Sequence, residues 1–318
     1  MSSLNFSRLG YGAANVGNLY RALSDDAAWA ILQTAWDVGV RYFDTAPHYG
    51  LGLSERRLGA FLATKPRDQF VVSTKVGRLL RPNPDGVGTL DLANDFAVPG
   101  DQKRVWDFSP NGIRQSVEES LERTGLDRFD VLFIHDPERH NLRKSLDEAI
   151  PALADLRSAG LVTAIGVGSM ETHALLASVQ TGALDLLMVA GRYTLAEQPA
   201  LEEVIPAARA NGVGIVNASV FNSGLLANEN PKADARYDYG DAPVALLERV
   251  WAIAAVCREF NVSLPAAALQ YTLRDDAVRT IVVGGSSAHQ VLQNSLRMDE
   301  FIPEELWHSL VEKKLIPA

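Results

Sequence analysis

Much of what this sequence lacks is informative. It has one cysteine, Cys257, in 318 residues, so no disulfide can form within the chain, which suits a reducing cytoplasm. Basic residues are in the minority. The 30 Lys and Arg against 39 Asp and Glu leave a net charge of −9, which argues against nucleic acid or an anionic membrane as the main partner, since both reward a basic surface. No apolar run reaches the roughly 18 residues that a membrane span requires. Met1–Arg8 has no apolar core of the kind a secretory signal carries. His48, His135 and His140 do not fall at a metal-ligating spacing such as H-x-x-x-H on a helix, so no metal is expected. No composition shift marks a linker, and no repeat or low-complexity stretch is present.

What remains is rich in apolar residues, 47% of the chain, enough for a large core. Short apolar runs alternate with helical patterns. The runs are Leu9–Ala14, Val40–Asp44, Phe70–Lys75, Asp130–His135, Val162–Gly168, Asp185–Ala190, Val213–Ala218 and Val278–Val283. Helix signals stand between them. Ser24-Asp25-Asp26 offers a cap and two first-turn acids, and Ser109-Pro110 a cap and a first-turn proline. Continuous apolar runs indicate strands of a parallel sheet buried on both faces. Eight such units in this length predict an α/β fold of one domain, residues 1–318, closed as a (β/α)8 TIM barrel rather than an open sheet. Two long irregular segments, Val76–Phe108 and Asn222–Pro243, follow strands three and seven and read as functional loops.

Active sites on such barrels lie at the carboxyl ends of the strands. Asp44, Lys75 and His135 each end a strand, and Tyr49 lies in the loop after one. A phenol titrates near pH 10, which makes it a poor base at neutral pH. A neighbouring ammonium lowers that value. Lys75 is placed to supply the charge, Asp44 to hold Lys75 protonated, and His135 to orient a reacting oxygen. Together they would pass a proton to or from an alcohol or carbonyl oxygen while hydride moves elsewhere. Taken singly, each residue has a plainer reading: a strand-end Lys is usually solvated and an Asp before Thr is usually a loop cap. Four compatible groups at the same end of strands two, three and four are what favour the catalytic reading.

The motifs Asp44-Thr45-Ala46-x-x-Tyr49-Gly50, Ser73-Thr74-Lys75 and Ile134-His135 resemble those of the aldo-keto reductase superfamily, and the resemblance runs over nearly the whole chain. It implies that Tyr49 is the general acid/base, that Lys75 and Asp44 tune it, and that His135 orients the substrate. Gly10-Tyr11-Gly12-Ala13-Ala14-x-x-Gly17-Asn18-Leu19-Tyr20, Thr45-Ala46-Pro47-His48-Tyr49-Gly50-Leu51-Gly52-Leu53-Ser54-Glu55 and His135-Asp136-Pro137-Glu138 are similar to one branch, that of D-threo-aldose (L-fucose) 1-dehydrogenases, L-galactose dehydrogenases and pyridoxal 4-dehydrogenases. That likeness implies oxidation of a cyclic hemiacetal, of a sugar or a pyridoxal-like compound, to its lactone. A general carbonyl reductase and a non-catalytic nucleotide-binding regulatory subunit are the other readings the superfamily offers.

The same resemblance marks departures. Where relatives anchor the nicotinamide carboxamide with Ser-Asn and Gln, this chain has Gly168-Ser169 and Ala190. Where they stack an aromatic on the ring, it has Ala218 before Ser219, with Phe221 or Tyr193 as substitutes. Gly224 and Leu225 in the same loop are further cofactor candidates. After strand eight, Gly284, Ser286, Gln290, Gln293 and Asn294 are candidates for the phosphate and adenosine end, where backbone N–H groups at a helix start suit a phosphate. Relatives that select NADP carry Lys at the place of Gly284 and Arg at that of Gln290. Losing both, at about 1.5–3 kcal/mol per charged hydrogen bond, predicts NAD as the preferred cofactor. Substrate recognition is expected from the two long loops with Tyr11, Asn15, Tyr20, His48 and Trp106, while Arg139 and His140 are either substrate contacts or solvated charges.

Overall fold

A computed structural model describes residues 4–232, 234–238 and 240–318. The reading of the first three residues lies outside them, as do residues 233 and 239 of the second long loop. Among the described residues, eight strands close into a parallel barrel. In sequence order they are β1 (Leu9–Gly12), β2 (Tyr42–Asp44), β3 (Val71–Val76), β6 (Val131–His135), β7 (Ala164–Ser169), β8 (Leu186–Ala190), β9 (Gly214–Ala218) and β12 (Val278–Val283), and β12 returns to pair with β1. This is the expected (β/α)8 barrel. The helices α1 (Asp25–Asp37), α2 (Leu53–Leu62), α3 (Pro110–Thr124), α4 (Leu142–Ser158), α5 (Thr172–Val179), α6 (Val204–Ala210), α7 (Val244–Glu259), α8 (Leu264–Tyr271), α9 (Ala288–Met298) and α10 (Glu304–Glu312) surround it. Ser24 caps α1 by accepting from Ala27 N at 3.2 Å, and Ser109 caps α3 from Gly112 N at 3.1 Å, as the sequence signals require. Among the described residues no single helix is long and apolar enough to cross a membrane.

The barrel has two apolar layers, and strand alternation sorts residues between them. Tyr42, Val71, Val131, Phe133, Ala164, Leu186, Met188, Val216 and Val282 fill the inside, where Leu4 and Phe6 pack against them. Phe43, Val72, Leu132, Ile134, Ile165, Val167, Leu187, Val189 and Ile215 face outward against the helices. This two-residue period fixes the site. Counting up from Tyr42, Val71 and Val131, the last inward positions are Asp44, Lys75 and His135.

The loop after β3 is not irregular. β4 (Arg78–Pro82) and β5 (Gln102–Trp106) pair antiparallel over five residues, from Arg78↔Trp106 to Pro82↔Gln102. Gly77 makes the departure from the barrel possible, with a φ of +101°. The hairpin escapes a sequence search because Arg, Lys and Pro interrupt its alternation. The loop after β9 likewise contains a short antiparallel pair, β10 (Arg236–Tyr237) with β11 (Gly240–Asp241).

Candidate active site

Lys75 Nζ donates to Asp44 Oδ2 at 2.6 Å and to the Thr45 carbonyl at 3.0 Å, with both charged side chains almost fully buried. Beneath them Ser73 Oγ donates to Asp44 Oδ1 at 2.7 Å, and the Tyr42 hydroxyl lies 2.9 Å from Ser73 Oγ. Asp44 is thus held from two sides, and Lys75 is aimed toward the mouth. The ammonium lies 4.7 Å from the centroid of the Tyr49 ring. The His135 ring stands edge-on to Tyr49 with centroids 6.0 Å apart, and His48 packs 5.7 Å from His135. The four residues expected to meet do so.

Tyr49 is set by a close contact between loops. Gly50 has a φ of +62°, and a Cβ there would lie 2.1 Å from the Gly17 carbonyl oxygen. The backbone of the tyrosine loop can seat on the β1 loop only without side chains at this point. Thr45 Oγ1 and Ser54 Oγ are 2.8 Å apart, and Ser54 Oγ donates to the Ala13 carbonyl at 2.7 Å, which ties the same loops together below.

The charges behave as a set. Burial pulls the Lys75 ammonium down, but Asp44 and then Tyr49 reverse this and leave its pKa above the ordinary value. Tyr49 differs from expectation in its net direction. Burial raises the phenol, and the opposing pull of Lys75, though of the expected sign, does not overcome it. His135 is held far below the usual imidazole value by burial, then by Arg78 and Lys75. His48 is depressed by burial, then by Arg78 and Arg104. Both imidazoles are therefore neutral at physiological pH, able to donate from one nitrogen and accept at the other.

The β4–β5 hairpin forms a wall that sequence reasoning missed. Arg78 is buried, donates to Asp136, and lies 4.4 Å from the Trp106 ring centroid. Arg104 grips Asp91 with two bonds of 2.9 and 2.6 Å and donates to the His48 carbonyl at 2.7 Å. Phe96 packs against both His48 and Tyr49, at 5.4 and 6.2 Å. In the sequence these arginines read as ordinary loop charges, because their acidic partners are remote or unremarkable.

The predicted substrate contacts divide. His48 stands at the mouth, and among the described residues its buried Nδ1 has no hydrogen-bond partner. Trp106 is at the wall, with Phe108 stacked at 5.7 Å and His140 at 6.1 Å, so much of its ring surface is already covered. His140 is therefore engaged by an aromatic neighbour, while Arg139 is exposed and 3.7 Å from Asp136. Tyr20 is exposed on the β1 loop, where its N–H donates to the Asp95 carbonyl at 2.7 Å. Asn15 reaches the β12 loop, since a Cβ on Gly284 would lie 2.4 Å from its Oδ1. Tyr11 is a correction. Strand alternation turns it outward with its register partners Phe43 and Val283, it is 2% exposed, and its hydroxyl donates to the Gly285 carbonyl at 2.9 Å. It is a packing residue, not a substrate contact.

The predicted cofactor residues lie around the other half of the rim. Gly168 is level with His135 in register, and Ala190 is level with Ala218. These small inward positions leave room for a planar ring. Ser169 donates to Glu138 Oε1 at 2.7 Å and accepts from Glu171 N at 2.9 Å. Ser219 is exposed, with a φ of +56°. Of the two proposed aromatic substitutes, Tyr193 has no exposed face to stack with, whereas Phe221 is half-buried. Tyr193 is buried and bonded to Asp275 at 3.2 Å, and Phe221 packs on the outer core. Leu225 is also buried in that core, next to exposed Gly224. Asn222 is a missed candidate here: it is 2% exposed and its Oδ1 has no partner among the described residues. Toward α9, Ser286 N donates to Gln290 Oε1 at 2.8 Å, and Arg21, also unforeseen, donates to the Ser286 carbonyl at 2.6 Å. Gln293 is half-buried, whereas Asn294 is turned into a small cavity with Tyr11, Val283 and Val291.

Orphaned polar atoms beside small inward residues, next to a helix start, fit a nicotinamide dinucleotide. The comparisons agree with this geometry. The model of the Aldo/keto reductase family matches residues 8–313. A D-threo-aldose 1-dehydrogenase from a Pseudomonas species is 60% identical over 318 residues, covering 100% of this chain and 97% of the relative. A pyridoxal 4-dehydrogenase from Microbacterium luteolum is 35% identical, covering 99% and 96%. An aldo-keto reductase structure from Bacillus halodurans superposes with a TM-score of 0.77 at 24% identity over 100% of this chain and 95% of that one, a likeness of fold. The chain belongs to the aldo/keto reductase family, and it is an oxidoreductase acting on CH–OH groups.

Proposed function

We propose that this protein is a cytoplasmic aldose 1-dehydrogenase that oxidises the C1 hemiacetal of a D-threo-aldose, such as L-fucose, to the lactone with NAD. The observation that carries the substrate assignment is the 60% identity, end to end, with a D-threo-aldose 1-dehydrogenase. The chemistry rests on the rim cluster. Tyr49, as phenolate, takes the proton of the anomeric hydroxyl. The Lys75 ammonium stabilises that phenolate, and Asp44 keeps Lys75 charged through the 2.6 Å contact. Neutral His135 donates to the substrate oxygen and aligns it, and His48 offers its unpartnered Nδ1 to a second hydroxyl. Bound nicotinamide supplies the acceptor for the hydride that leaves C1. Gly168, Ala190 and Ala218 would make space for that ring, while Ser286, Gln290 and the start of α9 would hold the adenosine and phosphate end.

NAD is preferred to NADP because no cation stands at Gly284 or Gln290, and a side chain at 284 meets Asn15. Arg21 lies nearby, but its Nη2 is engaged with the carbonyl and hydroxyl of Ser286. The single cysteine is buried, which suits a reducing compartment.

The second reading, oxidation of pyridoxal, is favoured by the 35% identity with a pyridoxal 4-dehydrogenase. One experiment separates the readings: dinucleotide reduction followed with L-fucose, L-galactose, D-arabinose and pyridoxal, each with NAD and NADP. The expected result is highest kcat/KM with L-fucose or D-arabinose and NAD. Pyridoxal as best substrate supports the second reading. NADP matching NAD refutes the cofactor assignment, and tight nucleotide binding with no turnover refutes both enzyme readings.

A further inference from the structure

Glu138 is an acid with an unfinished set of bonds. It lies in a short turn, Pro137–Arg139, after β6. Its Oε1 accepts from Ser169 Oγ at 2.7 Å, while its Oε2 is buried with no hydrogen-bond partner among the described residues. An ionised carboxylate oxygen left in this state is costly unless something binds it. No guanidinium or ammonium is in contact with Glu138 among the described residues; Arg139, the nearest in sequence, leans toward Asp136 instead. Burial accordingly pushes the Glu138 carboxyl up, with the Ser169 bond opposing.

Its place is specific. Ser169 ends β7, and the residue before it, Gly168, is the register partner of His135. Through Ser169, Glu138 is therefore tied to the strand beside the one that carries His135, whose imidazole faces Tyr49. Other acceptors in this stretch are taken. The Ser169 hydroxyl has given its only proton to Glu138 and accepts from Glu171 N. The Met170 carbonyl accepts from Arg192 Nε at 2.7 Å. The inward positions beside it, Gly168 and Ala190, carry no polar side chain. A planar ring bearing a primary amide, seated over these residues, would bring N–H donors to the vacant Glu138 Oε2.

The geometry points to Glu138, braced by Ser169, as the residue that holds the carboxamide NH2 of the nicotinamide and so fixes which face of the ring meets the substrate. This rests on the nicotinamide reading above. Glu138 is a cofactor-positioning residue and takes no part in proton transfer.

The test is equilibrium binding without substrate. NAD and 3-acetylpyridine adenine dinucleotide, in which a methyl replaces the amide NH2, are titrated by calorimetry into the wild-type protein, Glu138→Ala and Glu138→Gln. The wild type should bind NAD at least about tenfold more tightly than the acetyl analogue, the scale of one hydrogen bond to a charged acceptor. In Glu138→Ala that preference should fall to about one, through weaker NAD binding with the analogue little changed. Should the alanine variant not fold, the near-isosteric glutamine variant decides, and its preference should fall severalfold. A wild-type preference retained in a folded variant overturns the assignment. Equal binding of both dinucleotides by the wild type also overturns it, whereas failure of the wild type to bind either one overturns the nicotinamide reading itself.

Discussion

Replacing Lys75 by methionine removes the charge beside Tyr49 while keeping an unbranched chain of similar length. The effect on chemistry can be worked from the geometry. Taking the 4.7 Å between the ammonium and the ring centroid as the charge separation, an effective dielectric near 20 gives about 3–4 kcal/mol between ammonium and phenolate. That corresponds to about 2–3 pKa units. The phenol is already raised by burial, with Asp44 adding to the rise, so Lys75→Met moves it further up. At a fixed pH the oxidation rate should fall by about 10²–10³-fold, and the rise of rate with pH should shift to more alkaline values. Stability should fall too, because Asp44 is left buried with only Ser73 for support. Breaking a buried pair by removing one partner costs about 3–5 kcal/mol. The double variant Asp44→Asn/Lys75→Met separates the two effects: without an orphaned charge it should recover most of the stability and none of the turnover. Thermal unfolding and steady-state rates between pH 7 and 10 read both outcomes. Turnover of Lys75→Met within threefold of wild type, with NAD binding intact, refutes the claim that this ammonium activates the phenol. A double variant as unstable as the single one refutes the charge-orphan account of stability.

The pH profile of oxidation should climb steadily from pH 6 to 9, since the phenolate is the required form and burial holds the Tyr49 pKa above its ordinary value. No histidine inflection should appear near 6.5, because His48 and His135 are depressed and stay neutral there; a clear break at that pH would show that one of them titrates in the reaction. Gly50→Ala should lower melting temperature and turnover together, with about 1–3 kcal/mol from the left-handed backbone alone and more from the 2.1 Å approach to the Gly17 carbonyl. Wild-type kinetics in that variant would mean the tyrosine loop does not depend on this seat.

The barrel and its rim were legible because both follow from short periods. Continuous apolar runs give buried parallel strands, and a two-residue alternation from Val71 to Lys75 or Val131 to His135 fixes which terminal side chain points inward. The outward turn of Tyr11 is hidden in the sequence because Gly10 and Gly12 on either side carry no side chains to show the alternation. The β4–β5 wall was illegible because Arg78 and Arg104 look solvated until Asp136 and Asp91 are brought to them by folding. Glu55 is similar. It is fully buried on α2, yet Thr74 and Arg123 supply bonds of 2.8 and 2.6 Å that no local pattern announces. Tyr193, offered as a substitute for the stacking aromatic, does not reach the mouth because side-chain direction in a loop depends on packing partners from other elements.

The central claim is that the Tyr49 hydroxyl carries the proton. It is tested most directly by Tyr49→Phe, which removes one oxygen and leaves the ring against Phe96 and His135. Single-turnover oxidation, measured beside NAD binding at equilibrium, should slow by about 10²–10⁴-fold, the usual share of a positioned acid/base, with the NAD dissociation constant within about twofold of wild type. A phenylalanine variant that binds NAD normally and oxidises its sugar at the wild-type rate contradicts the account.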